Sequence, residues 1–132
     1  KEADGLVVAS PVYYASANGS VVSFMDRLFY STNFDKTMKV GASVAIARRG
    51  GCSATFDQLN KYFTINQMPI VSSTYWNMVH GRTPADVEQD LEGLQTMRTL
   101  ARNMAWILKS TNGEKAPGRP AEEAWEAMHF IR

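Results

Sequence analysis

Ser10-Pro11-Val12-Tyr13-Tyr14 puts a stiff turn, two aromatic side chains and a run of backbone amides just past an apolar strand, Gly5 to Ala9. A planar heterocycle needs that combination: aromatic or apolar walls, and donors facing its polar edge. Pro11 rigidifies the turn, and the amides of Val12, Tyr13 and Tyr14 are expected to lie free beyond the strand end. The same residues also suit an ordinary strand-to-helix turn with surface tyrosines. A second strand, Val40 to Ala47, runs out into Arg48-Arg49-Gly50-Gly51. The glycines let the backbone approach a ligand closely. Arg48, Arg49 or the helix amino end after Gly51 could stabilise negative charge there. Taken singly, each arginine reads better as a solvated residue in a helix-leading loop.

Further along, Ser72 to Arg82 is a long loop that holds Tyr75, Trp76, Asn77 and His80. His80 reads as a loop histidine satisfied by a backbone carbonyl, with proton delivery as the rarer alternative. Cys52 reads as a small residue in a tight loop, or as a thiol near a helix amino end. No His, Asp and Glu cluster marks a catalytic acid or base, and no metal site is assigned.

The elements that must position these residues alternate. After the strand at Leu6 to Ala9, Ser16 or Asn18 caps a helix whose Val21, Phe24, Met25, Leu28 and Phe29 recur at helical spacing. Val40 to Ala47, small and continuously apolar, reads as a strand covered on both faces. Thr55-Phe56-Asp57-Gln58 has capping-box spacing, and Phe56, Leu59 and Phe63 give that helix its buried face. Met68 to Val71 reads as a third, shorter strand, with Pro69 tolerated near its start. Thr83-Pro84 starts a helix of about six turns, with Val87, Leu91, Leu94, Ala101, Met104 and Leu108 on one face. A loop at Asn112-Gly113 and Pro117-Gly118 leads to a short helix from Pro120 that carries Trp125 and Met128. Strand, helix, strand, helix, strand, helix and tail imply a parallel sheet.

Composition narrows the function. The 132 residues allow one domain, and 45% hydrophobic with 20% charged residues is ordinary for a globular protein. A net charge of +1, with the basic residues scattered, gives no footprint for nucleic acid. The single cysteine excludes an internal disulfide framework or a multi-cysteine metal centre within this chain, and favours a reducing, cytoplasmic location. No apolar run reaches the roughly 18 residues of a membrane span. No GxGxxG follows a strand, which argues against a Rossmann dehydrogenase. The strand ends lack the acidic cluster of a receiver domain.

Together, the Ser-Pro-Val-Tyr-Tyr stretch, the Asp26-Arg27 pair, the loop at Arg48 and the segment from Pro69 to Gly81 resemble the NADPH-dependent FMN reductase and iron–sulfur flavoprotein branch of the flavodoxin-like superfamily. The resemblance covers nearly the whole chain. It implies a three-layer α/β fold with strand order 2-1-3-4-5, of which only the last three strand–helix units are expected here. Residues 1–132 would be the carboxyl-terminal portion of one such domain, with 109–132 as a tail. Two units, roughly 60 residues at some 30 each, would precede Lys1, and the starting Lys1 without an initiator Met fits that expectation. The family's phosphate-binding loop is not matched. The strand at Leu6 would then be an exposed apolar edge, prone to self-association.

The resemblance also implies FMN as cofactor, bound around Ser10 to Tyr14, Arg48 to Gly51 and Trp76, and NADPH or NADH as substrate. Electrons would pass through FMN to a quinone, flavin or protein acceptor, in a homodimer or larger assembly without nucleic acid or membrane. Asp26-Arg27 is implied to be structural. A flavodoxin-type carrier, usually strongly acidic, and a flavin-free α/β interaction domain are the alternatives.

Overall fold

Val40-Gly41-Ala42-Ser43-Val44-Ala45-Ile46-Ala47 forms the central strand because its side chains are small enough for helices to pack on both faces. In a computed structural model that describes residues 1–114 and 116–124, it is the strand that organises the others. The elements in chain order are β1 (Gly5–Tyr13), β2 (Ser16–Ala17), α1 (Gly19–Tyr30), β3 (Val40–Ala47), α2 (Cys52–Ile65), β4 (Met78–His80), α3 (Pro84–Gln89) and α4 (Leu91–Asn112). The sheet order is β2-β1-β3-β4. β1 pairs with β3 in parallel from Gly5 opposite Val40 to Pro11 opposite Ile46, and β3 with β4 from Ala45 opposite Met78 to Ala47 opposite His80.

Alternate residues of the sheet feed two helical layers, as a pleated strand requires. On one face Val8 packs with Met25 of α1 and with Leu59 and Phe63 of α2. On the other, Val40, Ala42 and Val44 meet Val71 and Leu100, with Met97 and Met104 of α4 against them. Gly41 lies directly under Phe63: a Cβ there would stand 2.6 Å from the ring's Cγ. That gap sets how closely α2 approaches the sheet.

Several elements differ from the sequence expectations. β1 continues to Tyr13 instead of stopping at Ala9, because Val12 and Tyr13 pair antiparallel with Ala17 and Ser16 of β2. The amides of the Ser-Pro-Val-Tyr stretch are therefore strand amides, and the turn itself is Tyr14-Ala15, both at positive φ (53° and 59°). Met68 to Val71 contributes an isolated parallel bridge, Ile70 opposite Gly41, while the regular strand is Met78–His80, inside the expected loop. β3 thus has one interrupted neighbour. Its two halves are separated by residues 72–77, held by Asn103 Nδ2 to the Ser72 carbonyl and by Ser73 Oγ to the Asn77 side chain.

Thr55 does not cap α2. Gly51 precedes the helix in the left-handed region, and the Gln58 side chain instead accepts from Ser16 Oγ and the Ala17 amide. The expected six-turn helix is two helices that break at Asp90, whose carboxylate caps α4 through the Gly93 amide at 2.9 Å. The Thr83–Asp86 capping box of α3 is present. Phe24 and Leu91, expected inside, are 63% and 74% exposed. The break at Asp90 rotates Leu91 away from the core. Residues 120–124 are not helical, and Trp125 and Met128 lie outside the described residues.

Beyond its short pairing with β2, the outer edge of β1 from Gly5 to Pro11 has no strand partner among the described residues. Val7 is half exposed there, and an apolar groove runs along Leu6, Val7, Val8, Val21 and Phe24. An open apolar edge templates strand addition. The chain alone is expected to sediment as dimers or larger species, with Val7→Lys shifting it toward monomer. A monomeric wild-type chain in analytical ultracentrifugation, at concentrations of tens of micromolar or more, would contradict this.

Candidate functional site

Parallel strands deliver their carboxyl ends to one edge of the sheet, and two of the expected segments meet there; of the third, His80 reaches Cys52 while Tyr75 and Trp76 precede β4. A Cβ on Gly51 would come within 2.8 Å of Val12 Cγ1 and 2.9 Å of Ala15 Cα, so the β1–β2 turn and the loop after β3 are in contact. Gly51, at φ 94°, is required for both reasons: its conformation and its lack of a side chain. Around this contact Tyr13 is 55% exposed, Tyr14 is fully exposed, and Pro11, Arg48, Arg49 and Gly50 are exposed. A Cβ on Gly50 would meet nothing within 4 Å. The loop face therefore opens outward.

Gly51 offers no side chain to cap α2. The first intrahelical bond is Thr55 N–H to the Gly51 carbonyl, which leaves the amides of the first helical turn without helical partners. An uncapped amino end of a 14-residue helix, beside two exposed tyrosines and two exposed arginines, is suited to the anionic or polar edge of a ring system.

Ser10 takes a different place from the rest. It is fully buried: its hydroxyl accepts from the Asn18 amide at 2.8 Å and donates to the Pro11 carbonyl at 2.9 Å, which ties the start of α1 to β1. Asp26 likewise has a structural contact, accepting from the Tyr62 hydroxyl and so joining α1 to α2. Burial, followed by the Asp26 hydrogen bond and charge, pushes the Tyr62 phenol up to about 12.

Trp76 stacks near Tyr75 with ring centroids 4.9 Å apart, both about half exposed. They wall a cavity of about 340 Å³ together with Met78, His80, Asp90, Glu92, Gly93 and Thr96. His80 differs from the expectation of a histidine satisfied by a carbonyl. It ends β4 opposite Ala47, with Nε2 4.0 Å from Cys52 Sγ and Nδ1 3.7 Å from Asp90 Oδ2. Its backbone amide donates to Asp90 Oδ2 at 2.7 Å. The His80 and Gly93 amides hold the Asp90 carboxyl below the usual carboxylate range. Cys52 is the first residue of α2, and burial pushes its thiol up. The grouping of Cys52, His80 and Asp90 was not legible from spacing, because three separate elements supply it. The split of the last helix, which brings Asp90 back to β4, carried no sequence signal beyond Asp90 standing three residues before Gly93.

The model of the NADPH-dependent FMN reductase family matches residues 1–83, which include both strand-end loops and the Tyr75–Trp76 segment. The chain belongs to that family. An iron-sulfur flavoprotein of Methanocaldococcus jannaschii is 33% identical over 117 residues, covering 83% of this chain and 61% of that protein. An iron-sulfur flavoprotein of Methanosarcina thermophila is 29% identical over 113 residues, covering 83% and 58%. The chain thus spans about six-tenths of the length of these curated relatives. Among solved structures, a flavodoxin, WrbA-like protein from Agrobacterium tumefaciens superposes with a TM-score of 0.55 at 19% identity, over 77% of this chain and 69% of that one. The fold is flavodoxin-like.

Two predictions follow the geometry. Gly51→Ala forces a left-handed backbone and a clash with Val12 and Ala15, and should cost about 1–3 kcal/mol in denaturant unfolding; an unchanged midpoint would contradict the contact. For Tyr62, the folded phenol titrates near 12 and the unfolded one near 10, so its stabilising share is whole below pH 10. That share is lost as the pH rises from about 10 to about 12. The stability gap between wild type and Tyr62→Phe should shrink across that window when denaturant melts are run at stepped pH; a constant gap would contradict the assignment.

Proposed function

We propose that the protein to which these residues belong is an FMN-dependent NAD(P)H oxidoreductase that passes electrons from a nicotinamide to an acceptor. The observation that carries this reading is the contact between the tyrosine turn of β1–β2 and the Gly51 loop, beside the uncapped start of α2. Exposed aromatic surface from Tyr13 and Tyr14 suits one side of a flat ring, and the amides around Gly50 to Ser53 suit its polar edge. Pro11 and Val12 shape the turn, Arg48 or Arg49 supplies positive charge, and Trp76 closes the neighbouring cavity. Ser10 contributes by holding the turn in place rather than by contact. FMN, when bound, supplies the two-electron chemistry, and the chain's part is to orient the ring and shield it from water.

Family membership favours an enzyme over a passive carrier, as does a net charge of +1. The relatives' names include iron and sulfur, but this chain has one cysteine, and among the described residues no group of three His, Cys, Asp or Glu side chains could hold a metal. No helix of the described residues is long and apolar enough to cross a membrane. A cytoplasmic setting suits a buried free thiol. The exposed Trp76 and the exposed Trp106 on α4 favour a homodimer or larger assembly.

The test uses the full-length protein loaded with FMN. Wild type should retain flavin absorbance after dialysis and oxidise NADPH or NADH. Tyr13→Ala and Gly50→Asp should each lose most of both. Unchanged turnover in both variants would overturn the reading.

A further inference from the structure

The acceptor's side of the reaction has a proton requirement that flavin-ring contacts do not meet. An acceptor that takes up a hydride equivalent leaves as a neutral product only if it also gains one proton. Among the residues of the Tyr75–Trp76 cavity, His80 carries the ring that can hold a proton on one nitrogen and release one from the other. We propose that His80 is the proton donor of this site and Asp90 its positioning residue, acting on an acceptor seated in that cavity. The proposal rests on the oxidoreductase reading above.

The geometry assigns the two ring nitrogens different roles. Asp90 is locked by the His80 and Gly93 amides, at 2.7 and 2.9 Å, so its carboxylate cannot swing away from the ring. Its Oδ2 stands 3.7 Å from Nδ1, longer than a formed hydrogen bond but within charge reach. Such contacts tighten when a site fills. A carboxylate there keeps the proton on Nδ1 and leaves Nε2 as the exchanging position, the arrangement in which an acid orients an imidazole. On the Nε2 side stands the Cys52 thiol at 4.0 Å, a long sulfur contact that an acceptor must displace to reach that nitrogen. The side chain is 44% exposed, so the ring can exchange protons with water. Glu92, also lining the cavity, is exposed and has no hydrogen bond or ion pair to the ring.

The balance is simple. Reduced nicotinamide supplies the hydride equivalent, the imidazolium gives its Nε2 proton to the acceptor, and neutral His80 regains a proton from solvent. One nicotinamide is oxidised and one acceptor is reduced.

Two readouts test this. The first is the ring tautomer of neutral His80 by nitrogen-15 NMR of the full-length protein. Wild type should be the Nδ1–H form, and Asp90→Asn, which keeps the capacity to cap α4, should revert toward Nε2–H. The same tautomer in both proteins would overturn the positioning role. The second uses the flavin-loaded full-length protein with a carbonyl-type acceptor such as a quinone. His80→Gln should lower kcat by about 10²-fold, leave KM for the nicotinamide unchanged, and be partly rescued by free imidazole. Wild-type turnover in His80→Gln, or a loss that imidazole does not relieve, would overturn the donor role. Anaerobic bleaching of the bound flavin by NAD(P)H keeps the two readings apart. It should proceed normally in His80→Gln; failure in wild type would sink the oxidoreductase reading, while the tautomer would still decide whether Asp90 orients His80.

Discussion

The smallness of the side chains along β3 is the constraint on which the rest depends. A strand of valine, glycine, alanine and serine lets α2 settle so close that an added methyl at Gly41 would stand 2.6 Å from Phe63. Further along the same strand, Ala45 and Ala47 receive Cys52 at the start of α2. That fixes where the helix begins. Gly51, one residue earlier, then has to pass between Val12 and Ala15, and this passage brings the two strand-end loops together. A bulkier β3 would lift α2 and separate them. Close packing in the core is transmitted to the site as position.

The second support is polar. Gln58 reaches from α2 to the Ser16 hydroxyl and the Ala17 amide, so the β1–β2 turn is anchored to the same helix that the Gly51 loop precedes. Ser10 fastens the other end of the turn to the start of α1. At the far side of β3, Asp90 joins β4 to α4 through the His80 and Gly93 amides. These bonds connect neighbouring elements across the carboxyl edge of the sheet. They leave the aromatic rings of Tyr13 and Tyr14 exposed at that edge, while Tyr75 and Trp76 are exposed just ahead of β4.

Much of this was legible in the sequence. Continuous apolar runs marked β1 and β3, helical spacing marked α1 and α2, and Thr83-Pro84 marked the start of α3. The family could be read from the Ser-Pro-Val-Tyr-Tyr stretch taken together with Asp26-Arg27, the loop at Arg48 and the segment from Pro69 to Gly81. The misses have a common cause in long-range partners. Val12 and Tyr13 look like loop until Ala17 and Ser16 return to pair with them. Thr55-x-x-Gln58 has the spacing of a capping box, yet Gln58 is claimed by β2, 41 residues away in sequence. Met78–His80 is too short to show periodicity and is a strand because Ala45 to Ala47 offer it a ladder. The break at Asp90 needed the His80 amide as a partner, and no local pattern contains it.

The most direct test of the claim that these loops form one flavin-holding edge is hydrogen exchange on the full-length protein with and without FMN. The account predicts slowed exchange confined to the segments around residues 11–15, 48–54 and 75–77. Protection elsewhere with these three unchanged, or no protection at all under saturating FMN, would contradict it.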